Sequence, residues 1–322
     1  MPKKSRWLIA TILLVAANTW EQGLNQERNV ELVIPTSPGG SNDIAGRTIH
    51  KLWSELKLLP VASSVVNRSG GEHIVAYTFI QQRTGDPYLI GLMSTPMLVN
   101  AIEGRTQLTH HDITPIAYLI TEPMVAVVRA DSPIQNGKDL IEALRKNPKA
   151  LSIALTSTGH RVSIGLPLYR AGINVKGVRM PAFKGGGETA MAVLGGHADV
   201  QITSVSTSVP HVTGGQMRAI AVSSSRRLGG VMANVPTWEE LGYVSSGSWK
   251  GVFAPRGITA AQIAFWEEVM QRTAQSEEIA RYAEQNLWLV EFKGAADTRK
   301  WLDQEAAALK TIMTELGLVQ AK

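Results

Sequence analysis

From residue 30 onward, short apolar runs alternate with longer stretches whose apolar residues recur at helical spacing. Val30 to Ile34 (VELVI) is rich in β-branched residues and stops at Pro35. Tyr88–Leu92, Val125–Val128, Leu151–Leu155, Asp199–Ile202 and Ala219–Val222 repeat the pattern. Apolar runs this short, closed by Gly, Pro, Ser or Thr, read as buried strands. Helical periodicity is clear in Ala260–Ala274, Glu277–Gln285 and Asp297–Leu316. Ile44, Ile49 and Leu52 mark a further amphipathic helix, with Asn42 or Asp43 placed to cap it. Strands alternating with helices predict an α/β fold with mainly parallel sheets flanked by helices.

The residues after these strands are small and polar. Thr36-Ser37-Pro38-Gly39-Gly40-Ser41-Asn42 follows the first, and Ser94-Thr95 the second. Thr156-Ser157-Thr158-Gly159 and Thr203-Ser204 follow later ones. Ligands of open α/β sheets gather at these carboxyl ends. Gly lets a backbone approach a ligand closely, hydroxyls donate, and the following helix offers free amides and a positive dipole end. Such loops hold a carboxylate, sulfate or phosphate without a dedicated Lys or Arg.

Composition narrows the classes. With 322 residues, 44% of them hydrophobic and 18% charged, the chain is globular and long enough for two domains. Having no Cys excludes disulfides, thiol nucleophiles and thiolate metal sites. The net charge is +5, but Lys3, Lys4 and Arg6 supply much of it. The remaining balance of about +2 does not suit a nucleic-acid binder. Those three basic residues precede an uncharged apolar run from Trp7 to Ala17. That run is well short of the ~20 residues needed to span a bilayer. It reads as a secretory signal peptide over residues 1–17, its exact end open and an uncleaved N-terminal anchor the alternative, so the mature protein is expected outside the cytoplasm.

Several motifs fail on inspection. Gly40 to Thr48 has the wrong spacing for a P-loop, and Arg47 stands where its lysine belongs. Gly185-Gly186-Gly187 lacks the acidic ribose contact of a dinucleotide site. His110-His111-Asp112 reads as a capping turn, since adjacent side chains are expected to diverge from a single metal. Ser157, His160 and Asp199 have the composition of a hydrolase triad, but no serine sits in a G-x-S-x-G elbow. Trp249, Trp266, Trp288 and Trp301 could line a pocket; Trp266 and Trp301 sit in helical patterns and are expected in the core.

Taken in order, the motifs resemble one family. Val33 to Asp43 (VIPTSPGGSND) resembles the first ligand loop of the tripartite tricarboxylate transporter substrate-binding proteins, the Bug family. Asn67-Arg68-Ser69-Gly70-Gly71 is similar to that family's N-R-x-G turn. Phe183-Lys184-Gly185 and Leu194 to Asp199 (LGGHAD) resemble its next two segments. Pro210-His211, Gly215 to Val222, Val235-Pro236-Thr237 and Trp249 to Pro255 complete the order.

The resemblance implies a two-domain, type II clam-shell periplasmic binding protein. Its first domain would comprise residues 28–122 with 246–322, and its second 123–245. It implies a monomeric, non-enzymatic receptor without metal or cofactor, which captures a small organic acid for a membrane transporter. The carboxylate would be held by Thr36, Ser37, Gly39, Gly40, Ser41 and Asn42 on one side. Thr156, Ser157, Gly159, His160 and Arg161 would face them. Ser94, Thr95, Lys184, Gly185, Thr203 and Ser204 would add strand-end and loop contacts. Arg161 is expected to pair with a second acidic group of the ligand. The polar Thr36-Ser37, His160-Arg161 and Ser204 depart from the family's commoner residues, and the turn around Gly70 looks shortened. Both changes predict an altered substrate. An α/β hydrolase or transferase, or a ligand-sensing partner of a membrane receptor, are the alternatives.

Overall fold

The computed structural model describes residue 24 and residues 28–319. The leader expected over residues 1–17 lies outside them. Among the described residues, ten strands and ten α-helices follow in order. They are β1 (Val30–Ile34), α1 (Ser41–Glu55), β2 (Ser63–Asn67), α2 (Ile74–Gln81), β3 (Leu89–Ser94), α3 (Pro96–Ile102), β4 (Thr114–Glu122) and β5 (Met124–Arg129). Next come α4 (Gly137–Lys146), β6 (Ile153–Ala154), α5 (Thr158–Arg170), α6 (Gly186–Leu194), β7 (Val200–Ser204), α7 (Val205–Thr213) and β8 (Met217–Val222). The chain ends with β9 (Ser248–Ala254), α8 (Ala260–Gln275), α9 (Glu277–Asn286), β10 (Leu289–Lys293) and α10 (Ala295–Glu315).

The strands form two sheets, ordered β10-β4-β9-β3-β1-β2 and β6-β7-β5-β8. Both are mixed, which corrects the expectation of mainly parallel sheets. In the first, β1 is parallel to β2 and β3, while β9 runs antiparallel to β3 and β4, and β10 antiparallel to β4. In the second, β6 and β7 are parallel, and β5 opposes both β7 and β8. The reason is where strands enter a sheet. Helical crossovers within one sheet return the chain to the same end and keep strands parallel. β4 instead runs through Pro123 directly into β5, and β9 arrives from the second sheet. A strand that enters from the other sheet starts at the shared end and runs the opposite way. The carboxyl ends of β1, β3, β4, β6, β7 and β8 therefore all meet at the junction between the sheets.

Each sheet is buried on both faces, and side chains sort by the period of two. On β5, Met124, Ala126 and Val128 enter one cluster, while Val125 and Val127 enter the other. On β3, Ile90 and Leu92 pack beneath α1 and α8, while Leu89 and Met93 face α2, α3 and α10. Helix α10 spans both cores. Leu309 and Met313 lie with the first sheet, and Leu316 just beyond it lies with the second.

At Gly251, β9 packs closely against β4. A Cβ there would stand 2.5 Å from the Ala117 carbonyl oxygen and 2.7 Å from the Met93 methyl. Gly251→Ala is therefore expected to lower unfolding free energy by about 1–3 kcal/mol, through overpacking that backbone cannot relieve. Gly187→Ala, where nothing lies within 4 Å, serves as the control. Urea denaturation of both variants checks this.

Candidate functional site

Where the strand ends meet, they enclose a cavity of about 640 Å³. Its first wall is the loop after β1. Gly39 takes φ +83°, and Gly40, extended at the N-cap of α1, supplies no side-chain cap. The loop is fixed from behind by Asp43. Its carboxylate accepts from Gly39 N (2.9 Å), Arg47 Nε (2.9 Å) and Asn67 Nδ2 (2.8 Å). Burial alone would raise the Asp43 pKa, but these donors outweigh it and hold the group below its ordinary value. Asn67 Nδ2 also donates to the Thr36 carbonyl (2.8 Å). The first turn of α1 is thus presented to the cavity with its amides open.

Two further helices reach the cavity in the same way. Gly185 is the N-cap of α6 and Ser204 that of α7, and neither side chain caps its helix. Helix α5 differs. Ser157 Oγ accepts from His160 N (3.3 Å), and Glu72 Oε2 accepts from Thr158 N (3.2 Å). Four helix N-termini, each carrying partial positive charge, therefore converge on one space. Three buried polar atoms of the lining residues, Thr36 Oγ1, Asn42 Oδ1 and Thr95 Oγ1, have no hydrogen-bond partner within the protein.

Beneath the cavity lies a buried ion pair. Glu122, the last residue of β4, is 0% exposed, and Lys250 on β9 is 1% exposed. The Glu122 carboxylate accepts from Lys250 Nζ, Ser41 Oγ, Ser206 Oγ and Trp288 Nε1. Burial pushes its pKa up; the Lys250 charge and the hydroxyl donors overcome that and hold it below the usual range. Two histidines face the same space. Burial, reinforced by Lys250, pulls His73 down to about 3; burial, outweighing the Glu122 charge that opposes it, pulls His160 down to about 4, so both are neutral imidazoles near pH 7. His73 Nδ1 lies 3.4 Å from Ser94 Oγ and 3.3 Å from Tyr77 Oη. His160 Nδ1 lies 3.2 Å from Thr156 Oγ1.

The structure gathers every residue proposed from the sequence at this cavity, with one exception. Arg161 is not in its lining, and its guanidinium reaches toward the Met180 carbonyl at 3.5 Å. That corrects the expectation of a second acidic contact there: one step along a helix rotates a side chain by about 100°, so His160 faces inward and its neighbour does not. Sequence reasoning missed Glu72, His73 and Lys250. The run Gly70-Gly71-Glu72-His73 carried a signal, since a shortened turn must bend sharply; all four have positive φ.

Other candidates resolve elsewhere. Asp199 binds the backbone and hydroxyl of Ser152, so Ser157, His160 and Asp199 form no triad. Trp288 serves Glu122, Trp266 lies in the core, Trp249 and Trp301 pack edge-on, and none of the four lines the cavity. The His110-His111-Asp112 segment is a turn closed by a capping box between Thr109 and Asp112, with His110 buried. The two rings do not diverge, however: they lie 4.1 Å apart and both face Asp303.

Comparison with known proteins converges on one family. The sequence profile described as the tripartite tricarboxylate transporter family receptor matches residues 56–318. A UPF0065 protein of Bordetella pertussis is 24% identical over 96% of this chain and 96% of its own. Protein BugT of the same organism is 24% identical over 78% of each. Among solved structures, a Rhodopseudomonas palustris protein with adipate superposes with TM-score 0.81 at 20% identity. It covers 91% of this chain and 99% of that one. MatC of the same species, with bound malate, gives 0.78 at 21% identity, covering 89% and 99%.

Two outcomes follow from the buried charges. Lys250→Met strands the Glu122 carboxylate and is expected to cost about 3–5 kcal/mol, whereas pairing it with Glu122→Gln restores most of that loss; urea unfolding of both checks this. The histidine pKa values lie below the ordinary 6.5, so on acidification the unfolded chain takes up protons that the folded chain refuses. Stability is full above pH 6.5 and falls as pH drops toward the folded values. The melting temperature should decline by several degrees between pH ~6.5 and ~4.5. His73→Asn should flatten that decline, since Asn tolerates the φ of +84°.

Proposed function

The chain belongs to the tripartite tricarboxylate transporter receptor family, and on that premise we propose that it captures a small organic acid anion outside the cytoplasm. The observation that carries the reading is the convergence of uncapped helix N-termini and unpartnered buried hydroxyls on one cavity. Hydrogen bonds to a charged group contribute about 1.5–3 kcal/mol each. Four such bonds, less the costs of ordering and association, support an affinity in the micromolar range, about −8 kcal/mol. The malate and adipate of the two structural relatives support the same chemical class.

In this reading the first lobe comprises residues 28–122 and 246–322, and the second 123–245. The chain crosses at Pro123 and again near Ser245–Ser248. The lobes close on the ligand about these crossings, as hinged receptors do. Residues 1–17 direct export to the periplasm, and the receptor works as a monomer that delivers its cargo to the membrane subunits of a transporter. In this reading the acid is bound and released unchanged.

Thr95 tests the site. It is 7% exposed and its Oγ1 has no partner in the protein. Thr95→Val keeps the shape and removes a hydroxyl that only a ligand satisfies. It is expected to leave thermal stability unchanged and to weaken binding by about 10- to 100-fold. Calorimetric titration with a panel of mono-, di- and tricarboxylates checks this. Unaltered affinity would misplace the site, and consumption of the acid would replace a receptor with an enzyme.

A further inference from the structure

Within the carboxylate reading, which this inference rests on and deepens, one of the four anion-seeking helix ends is already occupied. The occupant is Glu72, from the other side of the cleft. Its main-chain carbonyl accepts from Asn100 Nδ2 (2.8 Å), and its Oε1 pairs with Arg105 Nη1 (2.8 Å). So anchored to the first lobe, it extends Oε2 to Thr158 N at the start of α5 in the second. The backbone accepts strain to put it there. Glu72 has φ 50° and ψ 51°, and His73 follows at φ 84°. Two consecutive non-glycine residues in the left-handed region are costly and persist where the surroundings over-determine them.

We infer that Glu72 is a specificity-determining residue that bars a second ligand carboxylate from the N-terminus of α5, so that the cleft selects monocarboxylates whose other end donates a hydrogen bond. The ligand's carboxylate goes to the uncapped turn of α1, where the Thr36 hydroxyl has no partner within the protein and is free to donate. Its far end then meets the Glu72 carboxylate, which has accepting capacity left on both oxygens. Beside it, Thr95 Oγ1 is buried and unpartnered, and Thr95 abuts Gly159 in the first turn of α5. A hydroxyl or ammonium group satisfies Glu72, and a hydroxyl satisfies Thr95 as well. A carboxylate would face Glu72 at like charge, which disfavours it relative to a hydrogen-bond donor. Arg105 pairs with Glu72 from outside the cavity lining, and the cations that do line it offer a second carboxylate little. Lys250 is committed to Glu122, and Lys184 is exposed at the rim.

The test compares ligands of equal length. Titrations of γ-hydroxybutyrate, γ-aminobutyrate and succinate, with malate and adipate added, are run on the full mature chain. The wild type is expected to bind one of the first two at least about tenfold more tightly than succinate. Glu72→Gln, which keeps an acceptor for Thr158 N but loses the charge, is expected to reverse or erase that preference. Glu72→Gly opens the helix end altogether and suits the positive φ, so it guards against misfolding of the first variant. Wild-type preference for a dicarboxylate, or an unchanged ratio in both variants, overturns the role of Glu72 and leaves the receptor reading standing. Absence of saturable binding by any acid to all three proteins overturns both together. A shift of preference toward γ-hydroxybutyrate or toward γ-aminobutyrate distinguishes a hydroxyl from an ammonium as the group that faces Glu72.

Discussion

The buried Glu122–Lys250 pair is the constraint on which the architecture turns. An ion pair taken fully out of water is expensive, and it persists only when every remaining lone pair and proton finds a partner. Glu122 meets that demand with donors from four separate parts of the chain: β9, the first turn of α1, the first turn of α7 and Trp288 at the start of β10. The two strands that carry the pair, β4 and β9, lie side by side where the chain passes between the two sheets, with Glu122 opposite Ser248. One carboxylate thereby fixes the hinge strands and orients two helix ends toward the cavity. Polar networks that are completely satisfied confer this kind of unique geometry, at little net gain in stability.

The same pair explains the electrical character of the cleft. Lys250 borders the cavity, yet its charge is spent. The two histidines are neutral because burial and that same lysine oppose their protonation. What remains facing a ligand is mainly oriented dipoles: helix amides and hydroxyls. Dipoles held rigidly in a low-dielectric space bind an anion without presenting a mobile cation that would accept many anions indiscriminately. Placement of Asp43 behind the first loop follows the same logic, since its charge is consumed by Arg47, Asn67 and Gly39 and pins the loop instead of repelling an anion.

Much of this was legible in the sequence, for local reasons. Strand β1 matches its apolar run from Val30 to Ile34, because Pro35 ends it and both its faces are covered. The polar loops were legible because Gly, Ser and Thr after an apolar run are hard to explain by packing. Strand direction was not legible. Alternation of strand and helix predicts parallel pairing, and nothing in β5 or β9 themselves shows that they enter from the opposite sheet. Strand β2, whose residues are half-buried or exposed, carried no apolar run to find. Glu122 and Lys250 stand far apart in the chain, and each alone looks like an ordinary charged residue in a strand. Arg161 failed for a finer reason, the phase of a helix, which a motif match does not resolve.

The contacts between the lobes are unevenly distributed. On the hinge side they are numerous and stable. Ser163 Oγ on α5 donates to the Ser246 carbonyl of the returning segment (2.7 Å), and the end of α10 packs Leu316 into the second core. At the mouth, the lobes touch through Glu72 on Thr158 and Thr95 against Gly159. A carboxylate–amide bond at a helix end contributes about 1.5–3 kcal/mol, and Arg105 keeps Glu72 solvated and paired when that bond is broken. In the proposed receptor, opening the mouth would break few contacts while those on the other side stay intact. Under the proposed role of Glu72, a ligand that supplies its own donor there would add to a closed state what water supplies to an open one, and such a differential contact is what a closing receptor requires.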